Sequence, residues 1–222
     1  MNQRAVFIFI AVALLLTFVG ATLHYNTRIE SNAPAVPVAV SPANSAALIR
    51  MHSPSLGRID APVVIVEFFD PACETCRAFY PLVKEIMAAH PDRIRLVLRY
   101  TPLHKGADQV VAVLEAARKQ GKLWPALEAL LGAQAAWTQH HVANVDLVWR
   151  HLDGLGLDLE KVRADMRAPD IASLIAQDVE DARNLGVTQT PGFFVNGRPL
   201  VDFGYKQFKQ LVDDALNETQ RK

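Results

Sequence analysis

Cysteine is scarce in this sequence, with only Cys73 and Cys76 among 222 residues. A zinc site built on that pair would need histidines as further ligands, and no His-x-His or His-x3-His pair stands near enough to supply them. A c-type haem signature would place histidine after the second cysteine, and Arg77 is there instead. Surplus charge is also missing: 23 Lys plus Arg balance 23 Asp plus Glu. A formal charge of zero points away from nucleic acid and from strongly charged substrates. The seven histidines are scattered, and His140-His141, near Trp137, falls between helical patterns as a solvated loop rather than a metal site.

The two cysteines occupy the most informative stretch, Asp70-Pro71-Ala72-Cys73-Glu74-Thr75-Cys76. It follows the apolar run Val63–Phe69 and opens a pattern carrying Phe79, Tyr80, Val83, Ile86 and Met87 at helical spacing. The order predicts a strand, a turn, and a helix that starts at the dithiol, kinks at Pro81 and stops at Pro91-Asp92. Cysteines three apart share a helix face, so their sulfurs can join or part. The positive end of the helix dipole stabilises a thiolate at Cys73, expected to be the exposed sulfur. Cys76, one turn further in, is expected to be buried with a higher pKa. A bridge between adjacent turns closes too small a loop to contribute much stability, so exchange chemistry is the better reading.

Val63–Phe69 is almost continuously apolar, as in a strand covered on both faces. Glu67 breaks the run. A carboxylate there is unfavourable unless paired or protonated, which marks it as functional; the plainer alternative is a strand-end residue that reaches solvent.

The N-terminus is the other strong signal. Arg4 precedes nineteen uncharged residues, Ala5–Leu23, long enough to cross a bilayer with the remainder exported. This reads as an uncleaved anchor (1–23), with a cleaved signal peptide ending near Val19-Gly20-Ala21 as the alternative. Either reading puts the cysteines in an oxidising compartment. Residues 24–47, with Pro34, Pro37 and Pro42, read as an extended tether. The folded domain is expected over 48–222, with a short strand or turn through Ser53–Gly57.

With half its residues hydrophobic, the chain has room for one domain plus a modest insertion. Ile94–Tyr100 reads as a second strand, completing a βαβ unit. From about 103 to 186 the pattern is helical, with stripes at Val110–Ala117, Leu123–Leu131, Val145–Leu152 and Ile171–Leu185. Strand signals return at Thr190–Val201, where Asn196-Gly197 marks a hairpin. A last amphipathic helix carries Tyr205, Phe208, Leu211, Val212, Ala215 and Leu216.

This α/β order, β-α-β, a helical block, then β-β-α, with Cys-x-x-Cys at the first helix and Thr-Pro before the hairpin, resembles the thioredoxin fold. The inserted helical domain is similar to that of the DsbA-like thiol–disulfide oxidoreductases, and the resemblance spans roughly Ser53 to Leu216. It implies Cys73 as nucleophile, Cys76 as resolving cysteine, Glu67 as the buried acid beneath them, and a cis bond at Thr190-Pro191 where substrate backbone pairs. Pro81 matches the family's kink proline. The dipeptide Glu74-Thr75 departs from the Pro-His of strongly oxidising members, and a carboxylate beside Cys73 opposes a thiolate. A milder oxidant, or a reductase or isomerase for a few clients, is therefore a further reading, as is a thiol-based metal chaperone. The resemblance implies no organic cofactor. Its implied partners are exported proteins held as mixed disulfides and a DsbB-like or DsbD-like membrane redox protein. The chain would act as a monomer, anchored in the inner membrane with its catalytic domain in the periplasm, or soluble there after cleavage.

Overall fold

The computed structural model describes residues 46–221. The anchor expected at 1–23 and all but the end of the tether at 24–47 lie outside the described residues. Among the described residues, no helix is long and apolar enough to cross a membrane.

The fold is the α/β arrangement expected from the sequence. Its element order is β1 (Ser55–Leu56), β2 (Val63–Phe69), α1 (Glu74–Ala89), β3 (Ile94–Tyr100), α2 (Ala107–Lys119), α3 (Leu123–Gly132), α4 (Gln134–Trp137), β4 (Thr138–Gln139), β5 (Val142–Ala143), α5 (Leu159–Asp165), α6 (Pro169–Asn184), β6 (Gly192–Val195), β7 (Arg198–Pro199) and α7 (Tyr205–Gln220). The main sheet runs β1-β3-β2-β6-β7. β2 pairs parallel with β3 and antiparallel with β6, so both of its edges are hydrogen-bonded.

Strand side chains alternate between faces, and here they feed two cores. Val63, Ile65 and Phe69 of β2, Leu96, Leu98 and Tyr100 of β3, and Phe193 and Val195 of β6 join the larger core with α1, α2, α3 and α7. Val66, Phe68, Val97 and Phe194 enter the smaller core with Leu48 and Ala182 of α6. Coverage on both sides is why β2 reads as a continuous apolar run. Glu67 sits in register with Leu98 and Phe193, on the face that carries α1.

The smaller core has a charged neighbour. Arg99, fully buried, donates to Asp178 (2.9 Å) and Asp181 (2.5 Å) of α6 and to the carbonyl of Ala47. Arg50 and His52 bond the same two carboxylates at 2.6 and 2.7 Å. These bonds hold α6 and residues 47–52 against β3. The last helix of the expected insertion thus covers the sheet.

The helical stretch differs from expectation in detail. Val145–Leu152 forms two 3-10 turns, Val145–Leu147 and Trp149–His151, rather than a helix. Val145, Val148 and Leu152 keep helical spacing, yet Asn144 accepts from the Asp146 N–H to start a turn, and the backbone then closes three residues apart, from the Val148 N–H to Val145 and from the Leu152 N–H to Trp149. Helix α5 escaped the periodicity because about two turns carry too few apolar positions; its cap is Asp158, which accepts from the Lys161 N–H at 3.0 Å. His140 and His141 form the positive-φ turn of the β4–β5 hairpin and are exposed. At the second hairpin Asn196 and Gly197 both take positive φ, the geometry the Asn-Gly pair predicts. Helix α1 runs unbroken through Pro81.

Candidate active site

At the end of β2 the chain turns through Asp70-Pro71-Ala72, and Cys73 becomes the N-cap of α1. Its sulfur takes the place a Ser or Asp oxygen often fills, accepting the backbone N–H of Cys76 at 3.4 Å. As a thiol it donates to the carbonyl of Thr190 at 3.2 Å. Thr190-Pro191 is a cis bond, as expected. One correction concerns exposure. Cys73 is only 6 % exposed, because the Thr190 loop closes over the helix N-terminus; Cys76 is fully buried.

The two thiols are pushed in opposite directions. Cys73 falls to about 5, chiefly because the Cys76 thiol donates to its thiolate. Burial opposes the fall, while a bond from Thr190 and the N–H groups of Cys76 and Thr75 assist it. Cys76 rises well above the ordinary thiol value through burial first, then its bond to Cys73 and the charges of Glu67 and Cys73. A sulfur at a helix N-terminus with several donors is the setting that favours a thiolate. Glu74 and Thr75 are exposed on the first turn. Water screens the Glu74 charge, and Cys73 remains acidic beside it.

Glu67 lies in the face beneath the dithiol and is completely buried. Neither carboxyl oxygen has a hydrogen-bond partner among the described residues. Burial, followed by the Cys73 charge, pushes its pKa up to about 8, so the site holds a neutral carboxylic acid at pH 7. The strand-end alternative, in which Glu67 reaches solvent, is excluded.

Other residues frame the turn. Asp70, wholly buried, accepts the N–H groups of Ala72 (2.8 Å), Leu103 (2.7 Å) and His104 (2.9 Å), and its Oδ2 lies 2.7 Å from His104 Nδ1. Gln134, almost fully buried, donates through Nε2 to the carbonyls of Pro71 (2.8 Å) and Cys73 (3.0 Å). Sequence reasoning passed over His104 and Gln134, whose partners are distant along the chain. A buried glutamine in a one-turn helix carries no local signal. Beside the cis bond lies a shallow cavity of about 170 Å³, lined by Val187, Gln189, Pro191, Phe193, Pro199 and Phe203. Among the described residues no group of three or more His, Cys, Asp or Glu side chains is arranged to hold a metal ion.

Comparison with known proteins agrees with this architecture. The sequence model of the family described as Thioredoxin matches residues 50–214. A thioredoxin-like oxidoreductase from Silicibacter pomeroyi DSS-3 is 33% identical, with a TM-score of 0.66 over 78% of this chain and 95% of that one. The alpha-DsbA1 structure of Wolbachia pipientis shares the fold at 21% identity, with a TM-score of 0.67 over 79% of this chain and 96% of that one. Among curated proteins, Na(+)/H(+) antiporter NhaA 3 of Salinispora tropica is 36% identical over 145 residues, which is 64% of this chain and 21% of the antiporter. The chain spans about a fifth of the length of the curated relatives it matches.

Proposed function

The chain belongs to the thioredoxin family, in a fold shared with thiol–disulfide oxidoreductases, and from the geometry of its dithiol we propose that it exchanges disulfides with exported proteins through Cys73 and Cys76. The observation that carries this reading is the asymmetry of the pair. One sulfur caps a helix and is acidic, the other is buried and resists ionisation. Thiolates attack disulfides and thiols do not, so Cys73 is the entry point.

The reductive half-reaction runs in two displacements. The Cys73 thiolate attacks one sulfur of a client disulfide; a Cys73–client bond forms as the client S–S bond breaks, and the other client sulfur leaves as thiolate. Cys76 then gives up its proton and attacks Cys73. The Cys73–Cys76 disulfide forms, and the second client sulfur departs. The client gains two electrons and the protein loses two. Oxidation of a client dithiol is the same path reversed. Glu67, buried beneath the pair, is the acid–base partner proposed for the Cys76 proton, receiving it once ionised and returning it in the reverse direction. The backbone beside Thr190-Pro191, already bonded to Cys73 through the Thr190 carbonyl, is where an extended client strand would pair.

An acidic Cys73 stabilises the dithiol over the disulfide, which favours oxidation of clients. Pairing with a DsbB-like or DsbD-like membrane redox protein, action as a monomer, and tethering to the inner membrane by residues 5–23 are parts of the same proposal. Their support is the sequence pattern described above. The anchor is tested by alkaline carbonate washing of membranes: retention of the full-length chain supports it, and a released form starting near Thr22 replaces it with a cleaved signal. The exchange reaction is tested by trapping. Cys76→Ser should accumulate mixed disulfides with exported proteins under non-reducing conditions, and Cys73→Ser should trap few. Equal trapping by the two variants would reverse the assignment.

A further inference from the structure

We infer that Gln134 is a positioning residue that ties the helical insertion to the dithiol turn and so governs the exchange reactivity of Cys73. This rests on reading Cys73–Cys76 as the exchange couple. The side chain of Gln134 comes from α4, 61 residues along the chain from Cys73, and is 1 % exposed. A buried amide is unfavourable unless bonded. Both of its bonds go to carbonyls of the dithiol turn, Pro71 at 2.8 Å and Cys73 at 3.0 Å.

Those two bonds fix the Pro71–Ala72 and Cys73–Glu74 peptide units. The Cys73 carbonyl also accepts the N–H of Arg77 at 3.1 Å, an early rung of the α1 ladder. Gln134 therefore holds the turn and the helix start in one frame, with the Cys73 sulfur left to accept the Cys76 N–H. The insertion also braces the turn from a second side. Asp70 binds the N–H groups of Leu103 and His104, and the neighbouring Lys105 carbonyl accepts the N–H of Ala143 in β5. The acidity of Cys73 depends on donors aligned by this frame. Loss of the Gln134 donors lets residues 71–73 relax and raises the thiol pKa.

The test uses the full chain with Gln134→Met, which roughly keeps the volume and removes both donors. Gln134→Glu sets a carboxylate against two carbonyl oxygens. Trp137→Phe is the control in the same one-turn helix. It removes a bond from Trp137 Nε1 to the Leu130 carbonyl (2.8 Å) that does not touch the dithiol turn. Two quantities are read: the Cys73 pKa, from the ultraviolet absorbance of its thiolate, and the equilibrium constant with glutathione. Q134M should raise the pKa by about one unit, the scale of a hydrogen bond's contribution, with the couple becoming less oxidising, and Q134E should raise it further. W137F should lower the melting temperature and leave the pKa in place.

An equal pKa shift in W137F and Q134M would overturn the inference, since Gln134 would then act only through the fold of the insertion. So would wild-type pKa and equilibrium values in both Gln134 variants. If neither Gln134 variant folds, the wild type still decides. Its Gln134 side-chain amide protons should exchange slowly with solvent and shift in the NMR spectrum when the dithiol is oxidised; fast exchange and no shift would overturn the inference. A wild-type Cys73 that titrates at the ordinary thiol value, or forms no reversible disulfide with glutathione, would instead remove the reading on which the inference stands.

Discussion

Replacing Glu67 with glutamine should stabilise the protein, by an amount that depends on pH in a defined way. The carboxyl is fully buried without a partner and has a pKa near 8, against an ordinary value of 4.5. Its folded pKa is raised, so between pH 4.5 and 8 the folded state holds a proton that the unfolded state has released. Stability from this group is therefore complete below pH 4.5 and declines as pH rises through the window. At pH 7 the decline spans 2.5 units from the unfolded value, roughly 3 kcal/mol at about 1.4 kcal/mol per unit. Glutamine has the shape of the neutral acid and does not titrate. The Glu67→Gln protein should match wild type near pH 4.5 and exceed it by about 3 kcal/mol at pH 7. Denaturant unfolding across that range measures the difference. It is best run on the disulfide forms, where neither cysteine titrates; burial, the larger cause of the shift, then acts without the Cys73 charge, so the gap keeps its direction with pH and falls below the value for the dithiol. A difference that stays constant with pH, or a variant less stable at pH 7, would refute the account of Glu67 as a buried neutral acid.

Further outcomes follow from the same geometry. Alkylation of the reduced protein should strike Cys73 first, at a rate that rises with a midpoint near pH 5 and levels off by pH 7, while Cys76 reacts only on unfolding; peptide mapping after brief labelling checks the order. Arg99→Ala leaves Asp178 and Asp181 deep in the structure without their buried counter-charge, so it should destabilise by about 3–5 kcal/mol in thermal or denaturant unfolding. Asp70→Asn weakens the acceptor of three backbone N–H groups at the dithiol turn, so it should slow alkylation of Cys73 and lower the melting temperature together.

Much of the fold could be read from short-range pattern because local chemistry and tertiary burial agree there. The Val63–Phe69 run is apolar at every position but Glu67 since both of its faces are covered, and Asn196-Gly197 takes the positive φ angles its composition favours. The Cys-x-x-Cys pair sits at a helix start because Pro71 and Ala72 end the strand and the sulfur itself can cap the helix. Features set by long-range contact left little trace. The near-complete burial of Cys73 comes from a loop 117 residues away, and position in the helix alone suggests an exposed thiol. Gln134 is one polar residue in an Ala-rich stretch until its carbonyl partners are brought to it. The Val145–Leu152 segment keeps helical spacing at Val145, Val148 and Leu152 but closes as two 3-10 turns, a difference in backbone bonding that side-chain spacing does not carry.

The reduction potential of the Cys73–Cys76 couple is the most direct test of the central claim. Thiols with pKa about 7 and about 3.5 in this kind of motif accompany potentials of about −270 and −120 mV, so a Cys73 near 5 places the couple at roughly −180 mV. The measurement equilibrates purified protein with graded glutathione buffers and counts free thiols after acid quenching. A reversible two-electron transition near that value is predicted. A pair that stays reduced at every ratio, or a disulfide below about −300 mV that glutathione cannot open, would contradict an exchange function for this dithiol.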